Sequence, residues 1–350
     1  MTLSATHLRL SDVEPKPRWM TSWEKLKHKE AHWFVEMVAE MACLGVFLYV
    51  YAALFTIGFA YATGVTFAIS LCAATSGGHF NPSVTITFVV FRGFPKRKAA
   101  RFVAIVSTKH IDVTNAQARY IFAQILGAYI TCMIVYVQWK DLLVIAENIL
   151  IEKGLYDTVM FSSGGPAGVF GFYAAPSMNL LRVLLNEFVT DFVIGLVIWG
   201  CLDPTNHMIP PSAAPILIGL AFGLAGWSYS PVGVATNTAR DLGGRLAAMT
   251  VWGLNAVGGR YAAIAALGNI PAMLCAALTY ELFLGSTTRT LTPNHVHFLR
   301  AHKQYYEDNN LAPYGYLEGL DPQRNRSASL QSNLYEKSQT EVGEVFDDHV

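Results

Sequence analysis

The chain has 350 residues, 53% of them hydrophobic and only 14% charged, and its 25 basic and 25 acidic residues leave no formal net charge. A soluble globular protein carries about 25% charged residues, so neither a soluble enzyme nor disorder describes the chain as a whole. The balanced charge also provides no field for nucleic acid.

Half of the charges lie in residues 1–33 and 289–350, which leaves a long apolar middle. Residues 1–33 form a polar tail of mixed charge without the basic-then-apolar pattern of a signal peptide. Between Glu40 and Arg92 no formal charge occurs for 51 residues. A membrane-crossing helix needs about 20 apolar residues, so this run predicts a first span at 34–57 and a second at 61–76. The segment Gly77–Phe91 is uncharged but too short to cross, and it ends in the basic stretch Arg92, Lys96, Arg97, Lys98 and Arg101. A third span is predicted at 118–139, followed by a polar, Gly/Pro-containing loop to 179, a fourth span at 180–202 and a fifth at 213–229. A second short uncharged piece, Pro231–Met249, precedes a sixth span at 262–285. The tail 289–350 is polar, acidic at its end and expected to be largely disordered. The five cysteines (Cys43, Cys72, Cys132, Cys201 and Cys275) fall one in each of five apolar segments without metal-ligand spacing. They read as small packing residues.

Basic residues set the orientation. Residues 1–33 hold six Lys/Arg and 92–119 hold seven, against three in the 140–182 loop. The positive-inside rule places the first two regions in the cytoplasm, and six spans return the C-terminal tail there as well.

The apolar middle is also internally repeated. Glu40 lies 41 residues before Asn81, and Glu187 lies 50 residues before Asn237. Each half reads as a span with an acid, a second span, an Asn-headed short segment and a third span. Three spans per half invert the second copy. Inverted repeats with interrupted helices at matching positions point to a solute site near the bilayer midplane.

Two half-helices meeting head to head there would present unpaired N–H groups and partial positive charge to one another. Pro82, at the first helical position, suits such a start because its missing N–H would have had no partner. Asn81 and Asn237 can cap the two ends and aim amide donors into a lumen. A solute oxygen held by two donors breaks a proton wire, and the positive helix ends repel cations. Arg240 follows Asn237 within one turn; a guanidinium at that depth suggests function, and the bland alternative is an ion pair with Asp241. Glu40 and Glu187 could be proton relays or acceptors for the backbone of the re-entrant loops. His79 is expected to bond neighbouring backbone. Gly219 and Gly223 form a small-xxx-small pair suited to helix packing.

The paired segments Asn81-Pro82-Ser83 and Asn237-Thr238-Ala239-Arg240-Asp241 resemble the two Asn-Pro-Ala motifs of the aquaporin, or major intrinsic protein, family over residues 34–288. Asp241, together with Asp203-Pro204-Thr205-Asn206, is more similar to the glycerol-conducting members, fungal aquaglyceroporins among them. The resemblance implies an all-α membrane protein of six transmembrane helices and two re-entrant half-helices in an inverted repeat, forming a homotetramer among membrane lipid. It implies a selectivity filter of Arg240, Tyr61, Val234 and a small residue at Gly226 or Ala225. It also implies structural support from Glu40, Glu187, His79 and Asp241. The expected solutes are water, glycerol and other small neutral polyols, carried passively through a plasma-membrane channel with both termini cytoplasmic. No enzyme activity, catalytic residue, cofactor or metal is expected. Alternatives are a water-selective or gas-like-solute channel, a poorly conducting variant, and a coupled secondary transporter.

Two features depart from the pattern. Thr238 stands where the motif has proline and leaves φ free, which predicts a less rigid start to the second half-helix. Residues 102–119 read as an insertion that repeats Ala100-Arg101 at Ala118-Arg119, with Phe102–Val106 and Lys109–Gln117 expected to form a cytoplasmic loop at the inner mouth. In the tail, Arg324 and Arg326 precede Ser327 and Ser329 in the manner of a basophilic kinase site.

Overall fold

The computed structural model describes residues 33, 34, 37, 54–91, 115–174, 177–230, 233–285 and 289–308. Most of the first span, Glu40 included, the basic stretch 92–101, residues 102–114 of the insertion and the tail beyond 308 lie outside them. Among the described residues every regular element is a helix.

The uncharged run ends in α1 (Leu54–Ser76) and, after a four-residue turn and Asn81, the ten-residue α2 (Pro82–Phe91). Ten residues rise about 15 Å, half of a hydrocarbon core. Next come α3 (Asn115–Glu152), α4 (Leu180–Cys201) and α5 (Ala214–Leu224), which continues as a π-helical turn over Ala225–Tyr229. The second half-helix, α6 (Thr238–Trp252), precedes a run made of α7 (Tyr261–Leu267), α8 (Asn269–Thr279) and a π turn over Tyr280–Leu284.

Four boundaries differ from those predicted. α1 begins at Leu54, so residues 54–57, expected to end the first span, open the helix expected to begin at 61. At 38 residues, α3 carries thirteen residues past the expected end of the third span. Lys140 and Asp141 end the apolar window, but no glycine or proline occurs from Ala128 to Lys153, so nothing breaks the helix. It stops where the Leu155 N–H reaches back to the Leu150 carbonyl at 2.8 Å, just after Gly154. At its other end α3 takes in Asn115–Arg119, so the last residues of the insertion are helix rather than loop. The C-terminal tail opens with α9 (Pro293–Asp308). That helix is tied back by the Thr292 N–H on the Pro204 carbonyl at 3.2 Å.

Cysteine pairing also departs from the sequence reading. Cys72 on α1 is disulfide-bonded, and its partner lies outside the described residues. Pairing depends on which side chains the fold brings within reach, a distance that spacing along the chain does not reveal. Cys132 and Cys201 are buried and unpaired, and Cys275 is unpaired and exposed.

The two halves join along α1 and α5. A Cβ at Gly219 would drive into the Thr66 hydroxyl and the Ala62 carbonyl, and one at Gly223 would lie 3.0 Å from the Gly58 carbonyl. The helices therefore approach backbone to backbone, as small residues permit in lipid. Thr66 Oγ1 donates to the Ala62 carbonyl at 2.8 Å and reaches the Pro215 carbonyl at 3.2 Å across the seam. Around it Val65, Val84, Ile194, Trp199, Ile218 and Phe222 form the largest buried apolar cluster. Outward residues such as Phe67, Leu71, Leu181 and Leu185 are exposed and apolar, as lipid-facing positions are.

The Asp203-Pro204-Thr205-Asn206 segment closes α4. Asp203 Oδ1 accepts from the Thr205 N–H and hydroxyl, Asn206 Nδ2 donates to the Gly200 carbonyl, and the Tyr280 hydroxyl donates to Asp203 Oδ2 at 3.0 Å.

The seam makes a direct prediction. Gly219→Ala should lower stability by about 1–3 kcal/mol through overpacking, whereas truncating the neighbouring exposed Leu220 to alanine should change it little. Thermal unfolding of the two purified variants in one detergent compares them.

Candidate functional site: two half-helices clasped at their asparagines

Each half-helix begins at a capping asparagine. Asn81 Oδ1 accepts from the Ser83 N–H at 3.1 Å, and Asn237 Oδ1 accepts from the Ala239 and Arg240 N–H groups at 2.9 and 3.1 Å. The residue before each asparagine, Phe80 or Thr236, has left-handed backbone with φ of +49° or +56°. That conformation costs about 1–2 kcal/mol for an ordinary residue. Here it turns both carbonyls toward the opposite motif. Asn81 Nδ2 donates to the Thr236 carbonyl at 2.8 Å, and Asn237 Nδ2 donates to the Phe80 carbonyl at 2.9 Å. The two helix starts thus meet in a reciprocal clasp, 155 and 157 residues apart in sequence. A primary amide has two N–H donors, so each asparagine keeps one beyond the clasp.

Pro82 and Ser83 are buried in the first turn of α2, and Thr238 and Ala239 in the first turn of α6. Ala239 packs in a cluster with Ala68, Phe80 and Ala128, so the cap of one half sits on the start of the other. His79 Nδ1 lies 3.3 Å from Thr85 Oγ1, one turn into α2, and its ring packs on Phe88 and Tyr120. This partner of Nδ1 is a hydroxyl. Gln124 on α3 donates to the same hydroxyl at 3.2 Å, and the Tyr120 hydroxyl holds the Ser76 carbonyl at 2.8 Å.

The second loop is held from behind by α4. Glu187, fully buried, accepts the Ala235 and Thr236 N–H groups on its two carboxylate oxygens at 2.7 Å each. Its neighbour Asn186 donates to the Tyr229 and Gly233 carbonyls at 3.1 and 3.2 Å. Thr238 does not leave the start of α6 loose. Its hydroxyl donates to Asn269 Oδ1 on α8 at 2.8 Å, a side-chain tether where a proline ring would have restricted φ.

Arg240 and Asp241 do not pair with each other. Asp241 takes a two-point contact from Arg245, one turn on, whose Nε donates to Oδ2 at 3.1 Å. Arg245 continues to the Val257 carbonyl at 2.8 Å and the Phe172 carbonyl at 2.9 Å. Arg240 is instead held by the loop before α4: Nη1 donates to the Phe170 carbonyl at 2.7 Å and Nη2 to the Val169 carbonyl at 3.3 Å. Its guanidinium carbon lies 3.8 Å from the centre of the Phe172 ring. Gly244 on α6 lets the Phe170 carbonyl come this close, since a Cβ there would collide with it.

The remaining filter candidates are more dispersed. Val234 is half-buried just ahead of Ala235. Tyr61 is half-buried on α1 and packs against the cluster that α1 shares with α4 and α5. A Cβ on Gly226 would point at Gly58 Cα, 3.1 Å away, and its carbonyl accepts from the Ser230 hydroxyl at 2.7 Å. Ala225 is buried. The ring that meets the Arg240 guanidinium belongs to Phe172.

Residue patterns alone did not point to Asn186, Asn269, Gln124, Arg245 or Phe172. Only Arg245 carried a usable signal, an acid–base pair at i,i+4 in a nearly uncharged stretch. The tether at Thr238 is testable. Thr238→Val keeps the shape and removes the donor to Asn269, so unfolding stability should fall by about 1 kcal/mol, and Asn269→Ala should add little on top of it. Thermal melts of both single variants and the double variant measure that coupling.

The chain matches the Major intrinsic protein family over residues 34–107 and 102–257. It is 46% identical over 338 residues to the protein named "Aquaporin-3" of Laccaria bicolor, covering 88% of this chain and 96% of that one. To the "Glycerol uptake facilitator protein" of Escherichia coli (strain K12) it is 31% identical over 229 residues, 63% of this chain and 73% of that one. Its fold is similar to that of the aquaglyceroporin from Plasmodium falciparum, with a TM-score of 0.51 at 19% identity, covering 75% of this chain and 96% of that one. With the paired asparagine-headed half-helices and an all-helical apolar fold, this chain belongs to the major intrinsic protein family of membrane channels.

Proposed function

We propose that the chain is a passive channel for water and small uncharged polyols such as glycerol, and that it excludes ions and protons. The observation that carries this reading is the reciprocal clasp of Asn81 and Asn237. It brings two helix N-termini together at mid-depth, where the aligned peptide dipoles supply partial positive charge. One amide N–H remains on each asparagine, and a hydroxyl or water oxygen passing both accepts two donors at once. Such an oxygen has no lone pair left for a neighbouring water, so the proton wire breaks there, and the helix ends repel cations.

Arg240 provides the second filter element. Its anchoring on the Val169 and Phe170 carbonyls fixes the guanidinium and leaves the second N–H of Nη1 and of Nη2 for a hydroxyl. Tyr61 and Val234 supply apolar wall for a carbon backbone, and Gly226, whose Cβ position faces Gly58, serves the packing of α5 on α1 instead. The names of the glycerol facilitator relatives favour polyols among the neutral solutes. A homotetramer in the plasma membrane with both termini cytoplasmic completes the reading.

Coupled transport is the second reading. It needs a titratable or ion-binding group free to cycle; both Glu187 oxygens are engaged by backbone N–H groups, and the acid left to consider beside it is Asp191, fully buried one turn on. A requirement of uptake for a sodium or proton gradient would favour it nonetheless.

Stopped-flow light scattering on proteoliposomes tests the proposal. Water and glycerol permeability should both rise above empty vesicles, with no proton conductance, and a rise in neither rejects the channel reading. Arg240→Ala should change the water-to-glycerol permeability ratio by a factor of about 10 or more, the equivalent of about one hydrogen bond to a charged group. Glu187→Gln, which puts an NH2 donor where one of the two backbone N–H groups needs an acceptor, should lower stability by about 1.5–3 kcal/mol, read as a lower unfolding temperature.

A further inference from the structure

We infer that Phe172, in the loop before α4, is a specificity-determining residue: its ring forms the aromatic wall of the outer constriction and sets the largest polyol that passes Arg240. This rests on the channel reading above and deepens it.

Arg240 is 5% exposed, with Nη1 and Nη2 engaged by the Phe170 and Val169 carbonyls, and its Nε is buried without a partner among the described residues. The Phe172 ring centre lies 3.8 Å from the guanidinium carbon, so the ring covers one face of the cation. Phe172 itself is only half-buried. Its buried side packs against the cluster of Val183, Ala235, Tyr261 and Ala265 contributed by α4, α7 and the second re-entrant loop. Phe172 is thus the more accessible member of the pair, half-buried where Arg240 is almost covered.

Position is imposed on the ring from two sides. The Phe172 carbonyl is held at 2.9 Å by Arg245, itself paired with Asp241, and the Tyr173 hydroxyl donates to the Ala256 carbonyl at 2.8 Å. The ring is thus fixed by its own backbone and does not depend on Arg240 to stay in place. Conversely, Arg240 is anchored by residues 169 and 170 and does not depend on the ring.

The loop before Asn237 contributes the half-buried aliphatic Val234 and no aromatic side chain over residues 233–236. An aromatic surface beside a fixed donor is what a polyol needs: carbons against the ring, hydroxyls on the guanidinium. Phe172 supplies it from elsewhere in the chain.

The test measures size discrimination on proteoliposomes of the full chain. Permeability to water, glycerol and the four-carbon polyol erythritol is compared for wild type, Phe172→Ala, Phe172→Leu and Phe172→Trp. Removing most of the ring should raise the erythritol-to-glycerol ratio by about tenfold, the scale of a few carbons lost from an apolar wall. The larger indole should lower the ratio below wild type. Leucine, which keeps bulk without the π face, should fall between alanine and wild type. If alanine and tryptophan both leave the ratio unchanged while water and glycerol still pass, the assignment is overturned and Phe172 only braces the loop. Should the alanine variant fail to fold, as judged by gel filtration and melting, the leucine and tryptophan ratios decide by the same criterion. Wild type that moves neither water nor glycerol overturns the channel reading, and this inference with it.

Discussion

A chain that turns back inside hydrocarbon must satisfy its own backbone, because no water is there to do so. In this protein the constraint is met at its centre where Asn81 and Asn237 each donate to the carbonyl preceding the other. The clasp requires left-handed backbone at Phe80 and Thr236, which neither residue type favours. It persists because both sides are over-determined: the asparagine oxygens cap the helices, the amides bridge, and Glu187 holds the loop from behind. Remove any one of these and the remaining strain has less to oppose it.

The rest of the fold supports the clasp. The close approach of α1 and α5 at Gly219 and Gly223 joins the two halves. The Asp241–Arg245 pair illustrates how a buried charge is tolerated: both partners are almost fully buried, and the guanidinium also meets two backbone carbonyls. That pairing also separates the roles of two neighbouring residues. Asp241 belongs to a brace, which leaves Arg240 to the loop carbonyls and the Phe172 ring.

The departure at Thr238 shows how a missing restraint is replaced. Proline limits φ covalently, whereas threonine leaves it free; the hydrogen bond to Asn269 restores a tether through a different element, α8. Sequence reading registered the lost proline but could not see its substitute, 31 residues downstream. The same limit applies to α3. Lys140 and Asp141 mark the end of an apolar window, not the end of a helix, and in the absence of glycine or proline the backbone continued to Glu152.

What the residues alone determined is whatever depends on local composition and spacing. Uncharged runs of span length, two short Asn-headed segments and their mirrored acids were legible because burial in lipid excludes charge and because a helix start needs a cap. The class of protein followed from that pattern, as did the identity of the asparagines, Glu187 and Arg240 as residues to watch. Tertiary structure decided every relation between segments distant in the chain: which carbonyl each asparagine meets, which acid pairs with which arginine, and that Cys72 is disulfide-bonded. It also decided that an aromatic ring from residue 172 lies on a cation at residue 240. Contacts of that kind are set by how helices pack and loops fold over them, and a half-exposed phenylalanine in a loop carries no periodic or spacing signal by which to find it.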